Sequence, residues 1–360
     1  MKIFALVVDS MARIAARYSR VPKITLVGAV LVFALQPHAF GRDCSMTSVG
    51  FIPINDLGSG TYSMFQGGLY PGGTNVRPAS HESAGLALAQ SIQPMDTDGN
   101  PDANGRYVLL SIGMSNANQE FEVFLSDADA DREKNENLVI VNGAQGGATA
   151  RDWANASSPV WAEALQKLSQ RDVSANQVAV VWAKMANSAS RDEPDPYRAG
   201  LQSDVESVAR VLYEKFPNLK LVYLSSRIYA GYATTSLNPE PYAYESGFVV
   251  KSVIEKQISG DPTLNFDPAN GTVNAPWLSW GPYLWADGLV PRSDGLVWEC
   301  ADLREDDGTH PSAAGMQKVA DNLLEFFRSD TTAVEWFLDG RPGTIDTVAP
   351  APPKDLVILP

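Results

Sequence analysis

Basic residues are scarce in this chain. Of its 360 residues, 28 are Lys or Arg and 42 are Asp or Glu, which gives a formal net charge of −14. Proteins that bind the phosphate backbone of nucleic acids need clustered basic side chains. The composition therefore excludes nucleic-acid binding as the expected role, and it suits a soluble protein with a neutral or polymeric partner.

Cysteine is almost absent. The two cysteines, Cys44 and Cys300, are too few for a metal site built on cysteine. In an oxidising compartment they could form a disulfide that ties the start of the mature chain to its late loops. Two separate thiols are the alternative, and the sequence leaves both open.

Histidine is also rare, with three residues in the whole chain. His38 lies in the N-terminal leader, so His81 and His310 are left for the mature protein. Any imidazole acid or base must be one of these two. A metal site with two histidine ligands would need both of them to converge.

Long apolar runs are missing outside the leader. Residues 24–35 form a run of 12 apolar or small residues just after three basic side chains. The run is too short to span a bilayer comfortably, and its flanks are those of a signal peptide. We predict a signal peptide over 1–41, a secreted or periplasmic protein, and no stable membrane insertion after cleavage. An uncut signal anchor is the alternative.

Short Val-, Ile- and Leu-rich runs alternate with amphipathic segments through the middle of the chain. Helical spacing of apolar residues is clear at 201–216, and a further helix is predicted at 312–328. This alternation predicts an α/β fold with a parallel sheet covered on both faces. The predicted strands are 107–112, 138–142, 178–182 and 219–224.

The flanking regions differ in composition from this middle part. Residues 42–106 are rich in Gly, Pro, Ser and Tyr at first, and we predict an N-terminal wrap packed on the core. The main domain is predicted at 107–330. Residues 331–360 are predicted to be a Pro-rich C-terminal tail, with a stiff Pro/Ala stretch at 347–354.

Ser115 directly follows the first predicted strand, in the sequence Gly113-Met114-Ser115-Asn116. A serine there points out of the carboxyl edge of the sheet, where ligands bind in such folds. Its own N–H would be a free donor of a helix's first turn, so one residue supplies a nucleophile and an oxyanion donor. A plain N-cap serine is the alternative.

Asp307 and His310 lie three residues apart, in a Gly-containing turn just before the last predicted helix. This spacing lets the carboxylate bend back onto the imidazole, hold its tautomer and stabilise an imidazolium. The alternative is a solvated helix N-terminus capped by Ser312.

Two further strand ends carry candidate oxyanion donors. Gly146 and Gly147 follow the second strand, where glycine allows a main-chain N–H to approach a ligand closely. Asn187 follows the third strand and could donate its side-chain N–H to the same oxyanion. Ordinary turns are the alternative reading of both segments.

Taken together and in this order, these four segments resemble the SGNH (GDSL-like) hydrolase family over about 107–328. The resemblance implies a three-layer flavodoxin-like sandwich with a parallel central sheet of about five strands and loop insertions. It implies a triad of Ser115, Asp307 and His310. It also implies an oxyanion hole of Ser115, Gly146 and Asn187, with Gly147 as the alternative to Gly146.

The activity that the resemblance implies is two-step acyl transfer, without metal or cofactor. The Gly-x-Ser-Asn form and the Gly-Gly turn look like the carbohydrate acetylesterase branch, so the expected substrate is a small-molecule or glycan ester, with acetyl as the expected acyl group. Met114 stands where the family usually has Asp or Gln. Met185 and Ala186 precede Asn187 where it usually has Gly, which makes Asn187 the least secure assignment.

Aromatic residues are dense at 276–298 and, earlier, at 229–244. They could stack on sugar rings or form a hydrophobic cluster that covers the loops. This density and the irregular third motif support the second hypothesis, a non-catalytic glycan-binding or surface protein on the same scaffold. A third hypothesis is a phospholipase- or thioesterase-like hydrolase. The oligomeric state is not predicted.

Overall fold

The computed structural model describes residues 41–188 and 194–339, except for the side chains of 194–196. The predicted signal peptide at 1–41 lies outside the described residues, apart from Gly41. The Pro/Ala stretch at 347–354 lies outside them as well. Both therefore stay predictions.

Strands and helices alternate along most of the described chain. The strands, in chain order, are Thr61–Tyr62 (β1), Phe65–Gln66 (β2), Tyr107–Gly113 (β3), Leu138–Asn142 (β4), Val178–Lys184 (β5), Leu221–Ser225 (β6) and Trp277–Trp280 (β7). The α-helices are Ile54–Leu57 (α1), Ala79–Gln90 (α2), Ser115–Ala130 (α3), Ala150–Ala154 (α4), Pro159–Gln170 (α5), Pro194–Lys215 (α6), Tyr242–Ile258 (α7), Ala313–Ser329 (α8) and Val334–Phe337 (α9).

The central sheet has five parallel strands in the order β4-β3-β5-β6-β7. Every residue of β3, β5, β6 and β7 is buried, as nearly continuous apolar strands require. Helices flank the sheet, with α3 packed against α8 and α6 packed against α4 and α7. This confirms the predicted α/β fold, a three-layer flavodoxin-like sandwich.

The strand order brings three loops to one edge of the sheet. β3 lies between β4 and β5, with Ser111 opposite Asn142 and Gly113 opposite Lys184. Parallel strands end at the same edge, so the segments that follow β3, β4 and β5 emerge side by side. The predicted nucleophile and both predicted oxyanion segments lie there.

The fifth strand, β7, was not among the predicted strands, and it lies in the aromatic-rich segment at 276–298. β7 pairs with β6, with Leu221 opposite Trp277. Trp277, Trp280, Trp285 and Trp298 are all buried. Their burial favours the hydrophobic cluster over a surface that stacks on sugar rings.

Residues 41–106 pack on the sheet and its helices. Tyr70 Oη lies 2.8 Å from Ser279 Oγ on β7, and Lys251 Nζ on α7 donates to Gly67 O (2.7 Å). Cys44 and Cys300 form a disulfide with their Cα atoms 5.4 Å apart. Of the two possibilities left open by the sequence, the structure shows the pairing.

The first part of the predicted C-terminal tail is packed as well. Trp336 and Phe337 on α9 are buried, and Tyr107 Oη donates to Trp336 O (2.6 Å). Residues 331–339 therefore contribute to the core. Among the described residues, no helix combines the length and apolar character needed to cross a bilayer.

Candidate active site

Ser115, His310 and Asp307 lie in one hydrogen-bonded row. Ser115 Oγ is 2.8 Å from His310 Nε2, and His310 Nδ1 is 2.5 Å from Asp307 Oδ2. An ionised carboxylate can only accept, so His310 donates from Nδ1, and Nε2 is left to accept from the serine hydroxyl. All three residues are partly exposed. The structure thus brings together the three residues that the sequence singled out for a triad.

The turn between β3 and α3 places Ser115 at the first residue of the helix. Gly113 has a φ of +150°, and a Cβ on it would collide with Lys184 O. Glycine is needed for β3 to run this close to β5 and then turn. Because the first N–H groups of a helix have no partner within it, the Ser115 N–H is available to a ligand oxygen.

The turn before α8 holds Asp307 and His310 together. Asp307 Oδ1 accepts from the main-chain N–H groups of Thr309 (2.8 Å) and His310 (3.0 Å), which leaves Oδ2 for the imidazole. Burial alone would raise the pKa of Asp307, but these hydrogen bonds and the imidazole outweigh burial and lower that pKa. The carboxylate is therefore ionised at neutral pH.

Two segments distant in sequence pack on this turn. Thr234 N–H, in the long loop after β6, donates to Asp307 O (3.3 Å). A Cβ on Gly308, which has a φ of +62°, would collide with Tyr232 O of the same loop. On the other side, Arg42 N–H donates to Glu305 O (3.0 Å). The turn that carries His310 is thus held between the loop after β6 and the N-terminal segment.

Gly146 and Gly147 lie in the exposed part of the loop that follows β4. Gln145 N–H donates to Gly113 O (3.0 Å), which fixes the start of this loop beside the end of β3. Gly147 has a φ of +80°, and neither glycine has atoms near its Cβ position. The arrangement leaves both glycines as candidate N–H donors.

Asn187 follows β5, and both ends of its amide are bonded to other residues. Its Oδ1 accepts from Arg151 N–H (3.0 Å), and its Nδ2 donates to Asp204 Oδ2 (2.5 Å). One Nδ2 hydrogen remains for another acceptor. Asn187 therefore lies at the expected edge, but it also holds the start of α4.

A buried ion pair, missed by sequence reasoning, lies close to this row. Lys184 Nζ, at the end of β5, is 2.6 and 2.5 Å from the two carboxylate oxygens of Glu120 on α3. The two residues are 3% and 0% exposed. Burial raises the pKa of Glu120 and lowers the pKa of Lys184, while each partner's charge opposes the shift. A charge at the end of an otherwise apolar strand was its sequence signal.

The second histidine of the mature chain lies elsewhere. His81 is buried against the ring of Trp277, with the ring centroids 4.8 Å apart, and its Nε2 donates to Leu278 O (2.8 Å). It does not converge with His310. Within the described ranges, no group of three or more His, Cys, Asp or Glu is placed to hold a metal ion.

Comparison with models of protein families found no match, and comparison with curated proteins found none either. Several solved structures are similar to this chain. A Bacillus subtilis protein aligns at 12% identity and a TM-score of 0.36, over 64% of this chain and 58% of its own length.

Two other solved structures carry functional names. A putative acylhydrolase from Bacteroides fragilis aligns at 12% identity and a TM-score of 0.34, over 69% of this chain and 96% of its own. Axe2, an acetylxylan esterase from Geobacillus stearothermophilus, aligns at 16% identity and a TM-score of 0.33, over 65% and 97%. Likenesses this distant assign no activity.

Proposed function

We propose that this chain is a serine esterase of the SGNH type that hydrolyses small acyl esters. The observation that carries the proposal is the row Ser115–His310–Asp307 at the carboxyl edge of the flavodoxin-like sheet. A hydroxyl nucleophile, an imidazole base and an orienting carboxylate are the groups that acyl transfer through serine requires. The order of the four motifs, which resembles the SGNH family, supports the same assignment.

In the first step, Ser115 Oγ attacks the ester carbonyl carbon while His310 Nε2 takes the hydroxyl proton. Asp307 stabilises the imidazolium that forms. The carbonyl oxygen becomes an oxyanion, and we assign it three donors: the N–H of Ser115, the N–H of Gly146 and the remaining Nδ2 hydrogen of Asn187. The imidazolium then protonates the leaving alcohol oxygen, and the acyl group stays on Ser115.

The second step reverses the roles with water. His310 Nε2 takes a proton from a water molecule, whose oxygen attacks the acyl carbon of the acyl-enzyme. The same three donors hold the oxyanion. His310 then returns the proton to Ser115 Oγ, which releases the carboxylic acid and restores the enzyme.

For the substrate, we propose acetyl esters of carbohydrates outside the cytoplasm. The Gly-x-Ser-Asn form and the Gly-Gly turn support the acyl class through the family resemblance. The disulfide between Cys44 and Cys300 supports an oxidising compartment. The glycan-binding hypothesis loses one of its two supports, because the tryptophans that suggested it are buried.

The experiment is hydrolysis of p-nitrophenyl acetate by the parent and by Ser115→Ala, each checked for folding by circular dichroism. Loss of the nucleophile should lower kcat by about 10⁶-fold. Ser207→Ala is a matched control, because Ser207 is a partly exposed helical serine on α6 whose hydroxyl donates to Ser203 O and accepts from Arg210 Nη2. It should retain the parent rate. Equal rates in the parent and Ser115→Ala would refute the assignment, and a preference for p-nitrophenyl octanoate would favour the lipase- or thioesterase-like hypothesis.

A further inference from the structure

Arg227 is a buried cation that its surroundings leave incompletely paired. It lies two residues past the end of β6, at the same edge of the sheet as Ser115 and Asn187. Its residue exposure is 6%. Among the described residues, its Nε and Nη2 atoms have no hydrogen-bond partner. An unsatisfied buried guanidinium is costly to a folded protein, so a position like this calls for a functional reason.

Another buried arginine of this fold is hydrogen-bonded through all three of its side-chain nitrogen atoms. Arg292 is also 6% exposed. Its Nε donates to Asp294 Oδ1 (2.8 Å) and its Nη2 to Asp294 Oδ2 (2.5 Å), while its Nη1 donates to Tyr283 O (2.6 Å). The bidentate carboxylate that Arg292 has is what Arg227 lacks.

The two carboxylates whose charges act on Arg227 are already engaged. Glu120 has both oxygens on Lys184 Nζ. Glu240 accepts from Ala230 N–H (2.9 Å), Tyr244 N–H (3.0 Å) and Trp285 Nε1 (2.8 Å). Burial also raises the pKa of Glu240 to about 7, so it is only partly ionised near neutral pH.

A second unpaired donor lies near Arg227. Asn238 is 1% exposed, and its Nδ2 has no hydrogen-bond partner within the described part of the chain. Its Oδ1 accepts from Tyr197 Oη (2.7 Å), and this neutral hydroxyl lies within electrostatic range of the Arg227 guanidinium. Three buried nitrogen atoms, two from Arg227 and one from Asn238, thus present hydrogen-bond donors without acceptors.

These donors adjoin the candidate active site. Ser225 pairs with Lys184 across β6 and β5, so the chain leaves the sheet at Arg227 beside the segment that leads to Asn187. The Glu120 carboxylate lies within electrostatic range of both Arg227 and His310. Arg227 is therefore a candidate to hold a second group of the substrate that Ser115 attacks.

We propose that Arg227, together with Asn238, binds a carboxylate carried by the substrate. The planar guanidinium matches a carboxylate in a bidentate geometry, and Asn238 Nδ2 can donate to one of its oxygens. The carboxylate belongs either to the acyl group, as in a dicarboxylic half-ester, or to the alcohol, as in an acetylated uronic acid. The assignment to an ester substrate rests on the proposed function, whereas carboxylate binding itself does not.

Binding is tested first without turnover. The Ser115→Ala full chain is melted with glucuronate, with succinate, and with glucose as the neutral match. At least one carboxylate should raise the Tm by about 2 °C or more, and glucose should not. The rise should disappear when Arg227→Gln is added. If neither carboxylate raises the Tm, the carboxylate site is refuted, whatever the esterase assay shows.

Turnover then identifies which part of the substrate carries the charge. One pair of substrates is p-nitrophenyl hemisuccinate and p-nitrophenyl butyrate, and the other is acetylated glucuronic acid and acetylated glucose. The parent should prefer the charged member of one pair by about ten- to a hundredfold in kcat/KM, since hydrogen bonds to a charged group contribute on that scale. Arg227→Gln should remove this preference, and Arg227→Lys should keep part of it. A parent without preference in either pair would overturn the proposal.

Stability provides an independent readout. Arg227→Gln removes an unpaired buried charge, so its Tm should equal or exceed that of the parent. Arg292→Gln, the matched control, leaves Asp294 and the carbonyls of Tyr283 and Trp285 without their partner and should lower the Tm. An Arg227→Gln variant destabilised as much as Arg292→Gln would show that Arg227 has a structural role, and would count against the proposal.

Discussion

The surroundings of His310 and His81 differ in what each imidazole is bonded to. His310 is partly exposed, and both of its ring nitrogens face side chains, Ser115 Oγ at 2.8 Å and Asp307 Oδ2 at 2.5 Å. His81 is 4% exposed and lies between the rings of Trp277 and Phe266. Its Nε2 bonds to a main-chain carbonyl.

The difference shows that partners, and not residue type, decide what a histidine can do. A ring with a hydroxyl on one nitrogen and a carboxylate on the other can take and return a proton without moving. A ring buried among aromatics is held neutral: burial lowers the pKa of His81 to about 4. We therefore assign proton transfer to His310 and packing to His81.

Replacing each imidazole is the strongest test of this contrast. His310→Ala should lower kcat for p-nitrophenyl acetate by about 10⁶-fold, as the loss of one member of a serine triad does. His81→Gln should leave the kcat of the folded protein close to that of the parent. Losses of equal size in the two variants would contradict the division of roles.

The ion pair between Glu120 and Lys184 ties α3 to the end of β5, at the edge of the sheet that carries the candidate active site. Glu120→Gln leaves Lys184 buried without its carboxylate and should lower the free energy of unfolding by about 3–5 kcal/mol. Urea denaturation followed by tryptophan fluorescence measures it. The matched control is Glu163→Gln, which breaks a half-exposed pair with Lys167 on α5 and should change the free energy by less than about 1 kcal/mol. Similar changes in both variants would show that the buried pair stabilises little.

Replacing Asn187 tests whether its side-chain amide stabilises the oxyanion that forms while His310 takes the proton of Ser115. Asn187→Ala should lower kcat by about 10²- to 10³-fold, the usual cost of one such donor. Asp204→Ala removes the structural partner of the amide but not the amide, and it should cost less. An unchanged kcat in Asn187→Ala would show that another donor holds this place.

The smallest effect concerns the pH dependence of stability. The pKa of His81 is about 4 in the folded protein and about 6.5 in the unfolded chain, so the unfolded state binds more protons between these values. The stability contributed by neutral His81 is present above pH 6.5 and is lost as the pH falls towards 4, by about 3 kcal/mol in total. His81→Gln should show a shallower decline in the free energy of unfolding over this range. Parallel curves for parent and variant would contradict the packing role.

The sequence predicted the strands well where burial alone decides them. The predicted strands at 107–112, 138–142, 178–182 and 219–224 lie within two residues of β3, β4, β5 and β6. Each is a nearly continuous apolar run, and burial on both faces produces that pattern. β7 was not predicted, because Trp277–Trp280 is only four residues long and lies between Pro276 and Gly281, in a segment whose aromatic density suggested a loop.

In the candidate site, too, local features could be predicted from the sequence, whereas contacts made by the fold could not. Ser115, Asp307 and His310 could be found because a strand-end serine and a three-residue spacing are local features. The pairing of Glu120 with Lys184 depends on how α3 lies across β5, and the bond from Asn187 to Asp204 depends on where α6 passes the end of β5. Arg227 shows no local signal, because its isolation follows from which carboxylates other residues have engaged.

The disulfide has a consequence for how the protein is made. Its two cysteines are 256 positions apart, so Cys44 is synthesised long before Cys300 exists. With no other cysteine in the chain, the early thiol has no partner of its own until more than two-thirds of the protein has followed it. In the meantime it can only exchange with foreign thiols and disulfides. Formation of this disulfide therefore shows that translation has passed Cys300, and a chain interrupted before that point keeps Cys44 as a free thiol.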